Sequence, residues 1–305
     1  MTIFEQADQQ LLPDFHRQIV TVNGNDVLAV IGGSGPPLLM LHGDPQTHLC
    51  WHLIAPQLTE QFTVILTDIR GRGETHKPPH DSERNAYSKR YMASEQVAVM
   101  KALGYSRFSL VGHDRGGRVA RRIALDYPSV VEQLIIMDII PALDFYEQVN
   151  SDIAQDYFYF FFLTQPHPLP ELLINGDPER FMMEILQGLS DSTVPYDDNA
   201  LKSYLTSAST PESVIAMCEC FRAGITIDCV HDTEDRMVSK TIDCPTLIMW
   251  GERGVVGKHF DVRAIWDKWC TNVQYKGVAS GHFIPEEDPD TTLKVMNKFL
   301  VIPNT

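Results

Sequence analysis

The chain has 305 residues, of which 44% are hydrophobic, and this suffices for one large α/β domain that carries an insertion. The 25 lysines and arginines against 40 aspartates and glutamates give a formal charge of -15, which argues against nucleic acids and anionic membranes as partners. The longest notable apolar run, 158–163, is too short to span a bilayer, and the first residues do not resemble a signal peptide, so we expect a cytoplasmic protein.

Short apolar or alternating segments, separated by turn residues, predict the β-strands. The first two flank Asn23-Gly24, a pair typical of a tight β-hairpin. Apolar residues at helical spacing predict helices over 94–103 and 119–125. Strands that alternate with helices predict a mostly parallel sheet with helices on both faces. The predicted strands are 16–22, 26–31, 37–41, 62–67, 108–111, 131–137, 246–250 and 272–276.

The segment between residues 143 and 232 interrupts this alternation. It is rich in aromatic residues and in helical periodicity, and it contains no convincing buried strand. We expect a helical cap inserted between two strands of the sheet. The chain would then consist of a first part of the core (1–143), the cap (144–232) and a second part of the core (233–305).

The most informative motif is Gly112-His113-Asp114-Arg115-Gly116, which joins an apolar strand to a helical pattern. This context is typical of a nucleophile elbow, a turn so tight that it needs glycines on both sides of the nucleophile. The nucleophile of such an elbow is usually serine, whereas this chain has Asp114. A carboxylate suits attack on a saturated carbon that bears a leaving group, with an ester on the protein as the intermediate.

Two more titratable residues follow predicted strands, at the edge of the sheet where α/β proteins gather their functional groups. His282 lies late in the chain, where the base of this kind of site is found, and Asp138 would orient its imidazole. We therefore predict Asp114, His282 and Asp138 as the catalytic residues. The backbone N–H groups of Asp44 and Arg115 are expected to stabilise the oxyanion that forms when water attacks the ester.

Four arginines follow the predicted nucleophile. Arg115 and Arg118 lie one and four positions after it, where both can face the pocket. A guanidinium matches a carboxylate in a bidentate manner, so these two residues predict a small substrate whose carboxylate lies beside its reacting carbon. This local positive charge would act against the overall negative field. Arg121 and Arg122 are interpreted as part of a solvated helix face.

Seven short motifs identify the chain further: 42–48, 68–73, 87–90, 113–118, 137–141, 221–224 and 281–283. Together they resemble the haloacetate (fluoroacetate) dehalogenases of the α/β-hydrolase superfamily over most of the chain. The resemblance implies an α/β-hydrolase fold, an Asp-His-Asp triad and an arginine pair that holds the haloacid carboxylate. It also implies hydrolysis through an ester without a cofactor or a metal ion, and a homodimer is an expectation at the family level.

The chain departs from these relatives at the halide site. In the fluoride-releasing members, a His-Trp pair in the cap and a tyrosine before Arg-Ala-Gly donate hydrogen bonds to the leaving halide. These positions hold Tyr159, Phe160 and Phe221 here, so that only the Tyr159 hydroxyl remains as a donor. Because fluoride is strongly hydrated, we expect the missing donors to affect fluoride release most. The predicted substrates are chloroacetate or bromoacetate, with weak or absent defluorination.

Other functions stay open. Tyr159 lies where epoxide hydrolases carry a ring-opening tyrosine, which keeps an epoxide or another small acid as an alternative substrate. Phe221 replaces the second tyrosine of those enzymes, and Gly254 occupies the place of their usual acid. A non-catalytic ligand receptor is disfavoured because the chain retains all three catalytic residues. Asp44 is a further oddity, since its carboxylate would repel an anionic substrate unless it points away or pairs with an arginine.

Overall fold

The computed structural model describes residues 1–191 and 196–300. Eight strands form one sheet in the order β1-β2-β4-β3-β5-β6-β7-β8. The hairpin β1–β2 and the pair β2–β4 are antiparallel, and the other five pairs are parallel. The predicted mostly parallel sheet is therefore confirmed. The strands are β1 His16–Val22, β2 Asn25–Gly32, β3 Pro37–Leu41, β4 Thr63–Thr67, β5 Phe108–His113, β6 Val131–Met137, β7 Thr246–Gly251 and β8 Val273–Val278.

Helices cover the sheet wherever the chain crosses from one parallel strand to the next. α3 begins at Lys89, five residues before the predicted start, because the Ser88 side chain caps it by accepting from the Tyr91 N–H group. In the described residues no helix is long and apolar enough to cross a membrane. Outside the segment between β6 and β7, the α-helices are α1 Ile3–Leu11, α2 Ala55–Leu58, α3 Lys89–Ala102, α4 Arg115–Asp126, α13 Val255–His259, α14 Val262–Trp266, α15 Ile284–Glu287 and α16 Pro289–Phe299.

The long insertion between β6 and β7 is helical in its described residues, and we call this segment the cap. Its last helix runs past residue 232, the predicted end of the cap, and the division at 143 and 232 stays a prediction. The last five residues of the predicted second part of the core lie outside the described residues. The helices of the cap are α5 Ala142–Glu147, α6 Ser151–Asp156, α7 Phe158–Leu163, α8 Leu169–Ile174, α9 Pro178–Leu189, α10 Asp198–Ala208, α11 Pro211–Ile225 and α12 Ile227–Met237.

The contact between α4 and α12 corrects one prediction. Arg121 and Arg122 were expected on a solvated helix face, but their exposed fractions are only 3% and 2%. Both guanidinium groups pair with Asp232 at 2.7 Å, and Arg122 also pairs with Asp235. The solvated interpretation is wrong because carboxylates from α12, more than a hundred positions away in the chain, cover this face of α4.

Candidate active site

Asp114 occupies a sharp turn between β5 and α4, with φ 48° and ψ -116°. A non-glycine residue in this region of the backbone is strained, and strain of this kind is common at functional sites. The flanking glycines are required by space. A Cβ on Gly112 would overlap the carbonyl oxygen of Gly116, and a Cβ on Gly116 would overlap carbonyl oxygens of Leu41 and His42. The predicted elbow geometry is therefore present at this turn.

His282 and Asp138 lie beside Asp114, at the carboxyl edge of the sheet. The Nδ1 atom of His282 is 2.6 Å from Oδ2 of Asp138, and its Nε2 atom is 3.8 Å from Oδ2 of Asp114. The second carboxylate oxygen of Asp138 accepts a hydrogen bond of 2.8 Å from the N–H group of Gly251. Nε2 of His282 is buried and has no hydrogen-bond partner in the described residues. This nitrogen is therefore free to meet a water molecule or a reacting group.

The charges around the three residues set their protonation. Burial alone would raise the pKa of Asp114, but the neighbouring His282 and Arg115 hold it below the ordinary value. Burial alone would lower the pKa of His282, whereas its bond to Asp138 and the charge of Asp114 raise it above the ordinary value. Asp114 is thus ionised, and the imidazole of His282 lies between the carboxylates of Asp114 and Asp138.

The Asp44 residue has two separate contacts. Its backbone N–H group donates to Oδ1 of Asp114 at 3.0 Å, as the predicted oxyanion role requires. Its side chain pairs with Nε of Arg72, whose Nη1 atom donates to the carbonyl oxygen of Ser213 in the cap at 3.0 Å. The Arg72 guanidinium thus offsets the charge of Asp44, and of the two arrangements left open by the sequence, pairing with an arginine is the one observed. The N–H group of Arg115, the other predicted donor, lies in the first turn of α4, where helix N–H groups have no partner in the helix.

Among the residues that the structure describes, Arg115 and Arg118 are buried without a carboxylate partner. The three guanidinium nitrogens of Arg115 have no hydrogen-bond partner in the described residues, and the same holds for both Nη atoms of Arg118. The ring of Phe221 covers the Arg115 guanidinium at 3.5 Å from its centroid, and Phe160 lies at 5.0 Å. Such cation–π contacts stabilise a buried cation but satisfy none of its N–H groups. These groups are therefore available to an anion.

The two guanidinium groups converge at Gly224 on α11. A Cβ on Gly224 would lie 3.6 Å from Nη1 of Arg115, 3.8 Å from Nη1 of Arg118 and 3.9 Å from the hydroxyl of Tyr146. This hydroxyl is also buried and without a hydrogen-bond partner in the described residues. Tyr146 was not among the residues predicted from the sequence. Its only signal was its place on the first cap helix, and a tyrosine in an aromatic-rich segment is more often part of the core.

A narrow cavity of about 10 Å³ lies above Asp114, with room for no more than about one water molecule. Tyr159, Phe160 and Phe221 all line it, whereas Phe158 is 56% exposed. Neither Arg115 nor Arg118 lines this cavity: Arg115 lies against the rings of Phe221 and Phe160, and Arg118 lies 5.9 Å from the centroid of the Phe160 ring. The structure therefore brings together the nucleophile and the predicted halide residues, and it places the two arginines outside the cavity, against the rings of Phe160 and Phe221. The lining residues are Asp44, Pro45, Asp114, Tyr159, Phe160, Leu163, Ile185, Met217 and Phe221.

Comparisons with known proteins agree with this architecture. The α/β-hydrolase fold family matches residues 36–289. A fluoroacetate dehalogenase from Burkholderia sp is 37% identical over 287 residues, 94% of each chain. A soluble epoxide hydrolase from Corynebacterium sp. (strain C12) is 33% identical over 93% of this chain and 96% of its own. A solved α/β-hydrolase-fold structure from Nostoc sp PCC 7120 is 42% identical with a TM-score of 0.92, covering 95% of this chain and 99% of its own.

The similarity to fluoroacetate dehalogenase over nearly the whole chain confirms the resemblance that the motifs indicated. The epoxide hydrolase is almost as similar, so the comparisons identify a class of enzyme and not one substrate. The chain therefore belongs to the α/β-hydrolase family, and its activity is that of a hydrolase.

Proposed function

We propose that this protein hydrolyses a short 2-haloacid, such as chloroacetate or bromoacetate, through a covalent ester on Asp114. The observation that carries the proposal is the pair of buried arginines beside the nucleophile. Burying a guanidinium without a carboxylate is costly, so the unpaired N–H groups of Arg115 and Arg118 call for an anionic substrate. The hydroxyl of Tyr146 is a third donor at the same point.

The first step is a displacement at the carbon that bears the halogen. The Asp44 N–H group holds Oδ1 of Asp114, so the attacking atom is Oδ2. Oδ2 forms a bond to the carbon, and the halide leaves with the electron pair of the carbon–halogen bond. The arginines orient the substrate by its carboxylate, and among the described residues that line the cavity, the Tyr159 hydroxyl is the one donor left for the halide. The substrate has to displace the rings of Phe160 and Phe221 to reach both groups at once.

The second step is hydrolysis of the ester. His282 takes a proton from a water molecule at Nε2, and the water oxygen attacks the carbonyl carbon of the Asp114 ester. Asp138 keeps the proton of the imidazole on Nδ1 and stabilises the cation that forms. The N–H groups of Asp44 and Arg115 stabilise the oxyanion on Oδ1. When the tetrahedral intermediate collapses, the bond from its carbon to Oδ2 breaks, and the leaving oxygen takes the proton from His282 and departs with the hydroxy acid. The Asp114 carboxyl group then loses its proton to solvent and is a carboxylate again.

The direct test is halide release from fluoroacetate, chloroacetate and bromoacetate, with Asp114→Asn as the blank. We expect release of chloride and bromide and little or no fluoride. His282→Gln should accumulate the ester, which intact-mass spectrometry detects as the added mass of one glycolyl-type group. Fluoride release at a rate comparable to chloride release would refute the proposed halide site, and no halide from any substrate would refute the dehalogenase.

One observation favours a second candidate function. Tyr159 lines the cavity together with Asp114, as a ring-opening tyrosine of an epoxide hydrolase requires. A small terminal epoxide should therefore be tested with the same variants. Turnover of the epoxide without halide release, lost in Tyr159→Phe, would establish this alternative. An ester on Asp114 with either substrate would exclude the non-catalytic receptor.

A further inference from the structure

A carboxylate with no part in the proposed chemistry holds the backbone of the His282 loop. Glu287, at the end of α15, accepts hydrogen bonds from the N–H group of Gly281 and, at 2.9 Å, from that of Phe283. These residues flank His282 on both sides. Burial raises the pKa of Glu287 above its ordinary value, although the N–H groups that donate to it lower this pKa. In its ionised form, charge-assisted bonds from these peptide groups fix the path of the backbone on either side of the base.

The cap is bonded to the same loop. The N–H group of Asp191 donates to Glu287 at 3.1 Å, and the N–H group of His282 donates to the carbonyl oxygen of Leu189 at 3.1 Å. The side chain of Asp191 pairs in addition with Arg253, which follows β7. Residues 189–191, at the end of α9, are therefore bonded directly to the backbone of the base and, through Glu287, to its neighbours.

The core contacts the backbone carbonyl group of the same residue, His282. The Nε2 atom of His113, the residue before the nucleophile, lies 2.8 Å from the carbonyl oxygen of His282. Burial lowers the pKa of His113 to about 3, so its ring is neutral and donates this bond. The backbone of His282 is thus held at its carbonyl group by the core and at its N–H group by the cap. The position of the imidazole follows from both contacts.

We propose that Glu287 is a positioning residue that couples the cap to the base, keeping Nε2 of His282 in place for the attacking water while residues 189–191 are docked. The inference rests on the proposed function, in which His282 acts only in the second step. Displacement of the halide needs Asp114 and not the imidazole. A disturbed loop should therefore slow ester hydrolysis and leave ester formation unchanged.

The charges around His282 provide an independent readout. The groups that face its ring are Asp138 after β6, Asp114 and His113 at the end of β5, and Glu287 on α15. The charge of Glu287 contributes to the raised pKa of His282. In Glu287→Gln the pKa of His282 should consequently fall, whereas Glu287→Asp keeps the charge and loses the reach of the side chain.

The experiment measures both chemical steps separately, by rapid-quench mass spectrometry with bromoacetate. For Glu287→Gln we expect ester formation within about twofold of the parent and ester hydrolysis about 10- to 100-fold slower, as for a group displaced by a fraction of an ångström to one ångström. Glu287→Asp should slow hydrolysis without lowering the pKa of His282. The matched control is Glu252→Gln, which removes an exposed carboxylate from the loop after β7.

Parent-like rates of hydrolysis in both Glu287 variants would overturn the proposal, as would an equal slowing of the two steps. The titration of His282, followed by its imidazole resonances in NMR spectra, does not need a substrate. If the parent protein forms no ester, the proposed function has failed, and an unchanged His282 titration in Glu287→Gln would then overturn the positioning role separately. A lowered pKa in Glu287→Gln and an unchanged one in Glu252→Gln support it.

Discussion

The substitution Gly224→Ala separates binding of the substrate carboxylate from the stability of the fold. The added methyl group would lie 3.6 to 3.9 Å from Arg115, Arg118 and the Tyr146 hydroxyl. These are ordinary contact distances, so the fold can accept the methyl group without rearrangement. The methyl group does, however, occupy the point where the unpaired N–H groups converge, and we expect it to displace the substrate carboxylate.

We expect Gly224→Ala to weaken substrate binding and to stabilise the fold. Loss of a hydrogen bond to a charged group costs about 1.5–3 kcal/mol, so the KM for chloroacetate should rise about 10- to 150-fold. Replacement of a helical glycine by alanine stabilises a helix by about 0.5–1 kcal/mol. For a chain of this size the melting temperature should therefore rise by about 1 to 4 °C.

The assay combines steady-state halide release with thermal unfolding followed by circular dichroism. The control is Gly188→Ala, because Gly188, like Gly224, is the penultimate residue of its helix and a Cβ there meets nothing within 4 Å. This variant should become more stable and keep the parental KM. A parental KM in Gly224→Ala, together with the raised melting temperature, would show that the carboxylate does not bind between these arginines.

Three further predictions concern charge. Asp44→Asn should lower the KM for a haloacid, and Arg72→Gln should raise it, because each substitution leaves its partner's charge unpaired beside the cavity. Each change should be about 2- to 12-fold, or 0.5–1.5 kcal/mol, and KM values that shift in the same direction in both variants would refute this. The acid limb of kcat should lie at lower pH than the titration of His282 in the free protein, because the ester neutralises Asp114; pH-rate profiles and NMR titration compare the two. His48 lies between two buried carboxylates that raise its pKa to about 10 against the burial that lowers it. The contribution of protonated His48 to the free energy of unfolding is therefore complete below a pH of about 6.5 and is lost as the pH rises toward about 10. His48→Gln should lower the free energy of unfolding, measured in urea, by about 3–5 kcal/mol at pH 7, and this free energy should depend less on pH in the variant.

The strands and the catalytic geometry could be predicted because local patterns determine them. Apolar runs bounded by turn residues identified all eight strands, and the glycines around Asp114 have no room for a side chain. The order of nucleophile, acid and base along the chain then placed His282 and Asp138. The distances of 2.6 and 3.8 Å that join the three residues agree with this expectation, although their catalytic roles stay a prediction.

What the sequence did not reveal depends on contacts between distant segments. The sequence predicted a solvated Arg122, but this side chain is buried because two of its carboxylate partners lie on the last cap helix. Tyr146 carries no local signal, and Gly224, although it ends the motif 221–224, was given no role, because only the fold brings these two residues to the arginines. The partner of Asp44 is Arg72, from a loop 28 positions later. For Arg122 and Asp44, a sequence pattern identifies the residue, and tertiary packing alone determines its partner.

The proposed anionic substrate would have to enter a strongly acidic chain, and the pairing of the buried arginines explains how it could. In the described part of the chain seven arginines are buried, and five of them pair with carboxylates: Arg70, Arg72, Arg121, Arg122 and Arg222. Only Arg115 and Arg118 have no such partner within these residues. Because attraction strengthens where water is excluded, two unpaired guanidinium groups beside the nucleophile outweigh distant, screened surface charges. The overall charge of -15 therefore does not oppose the proposed substrate at the site itself.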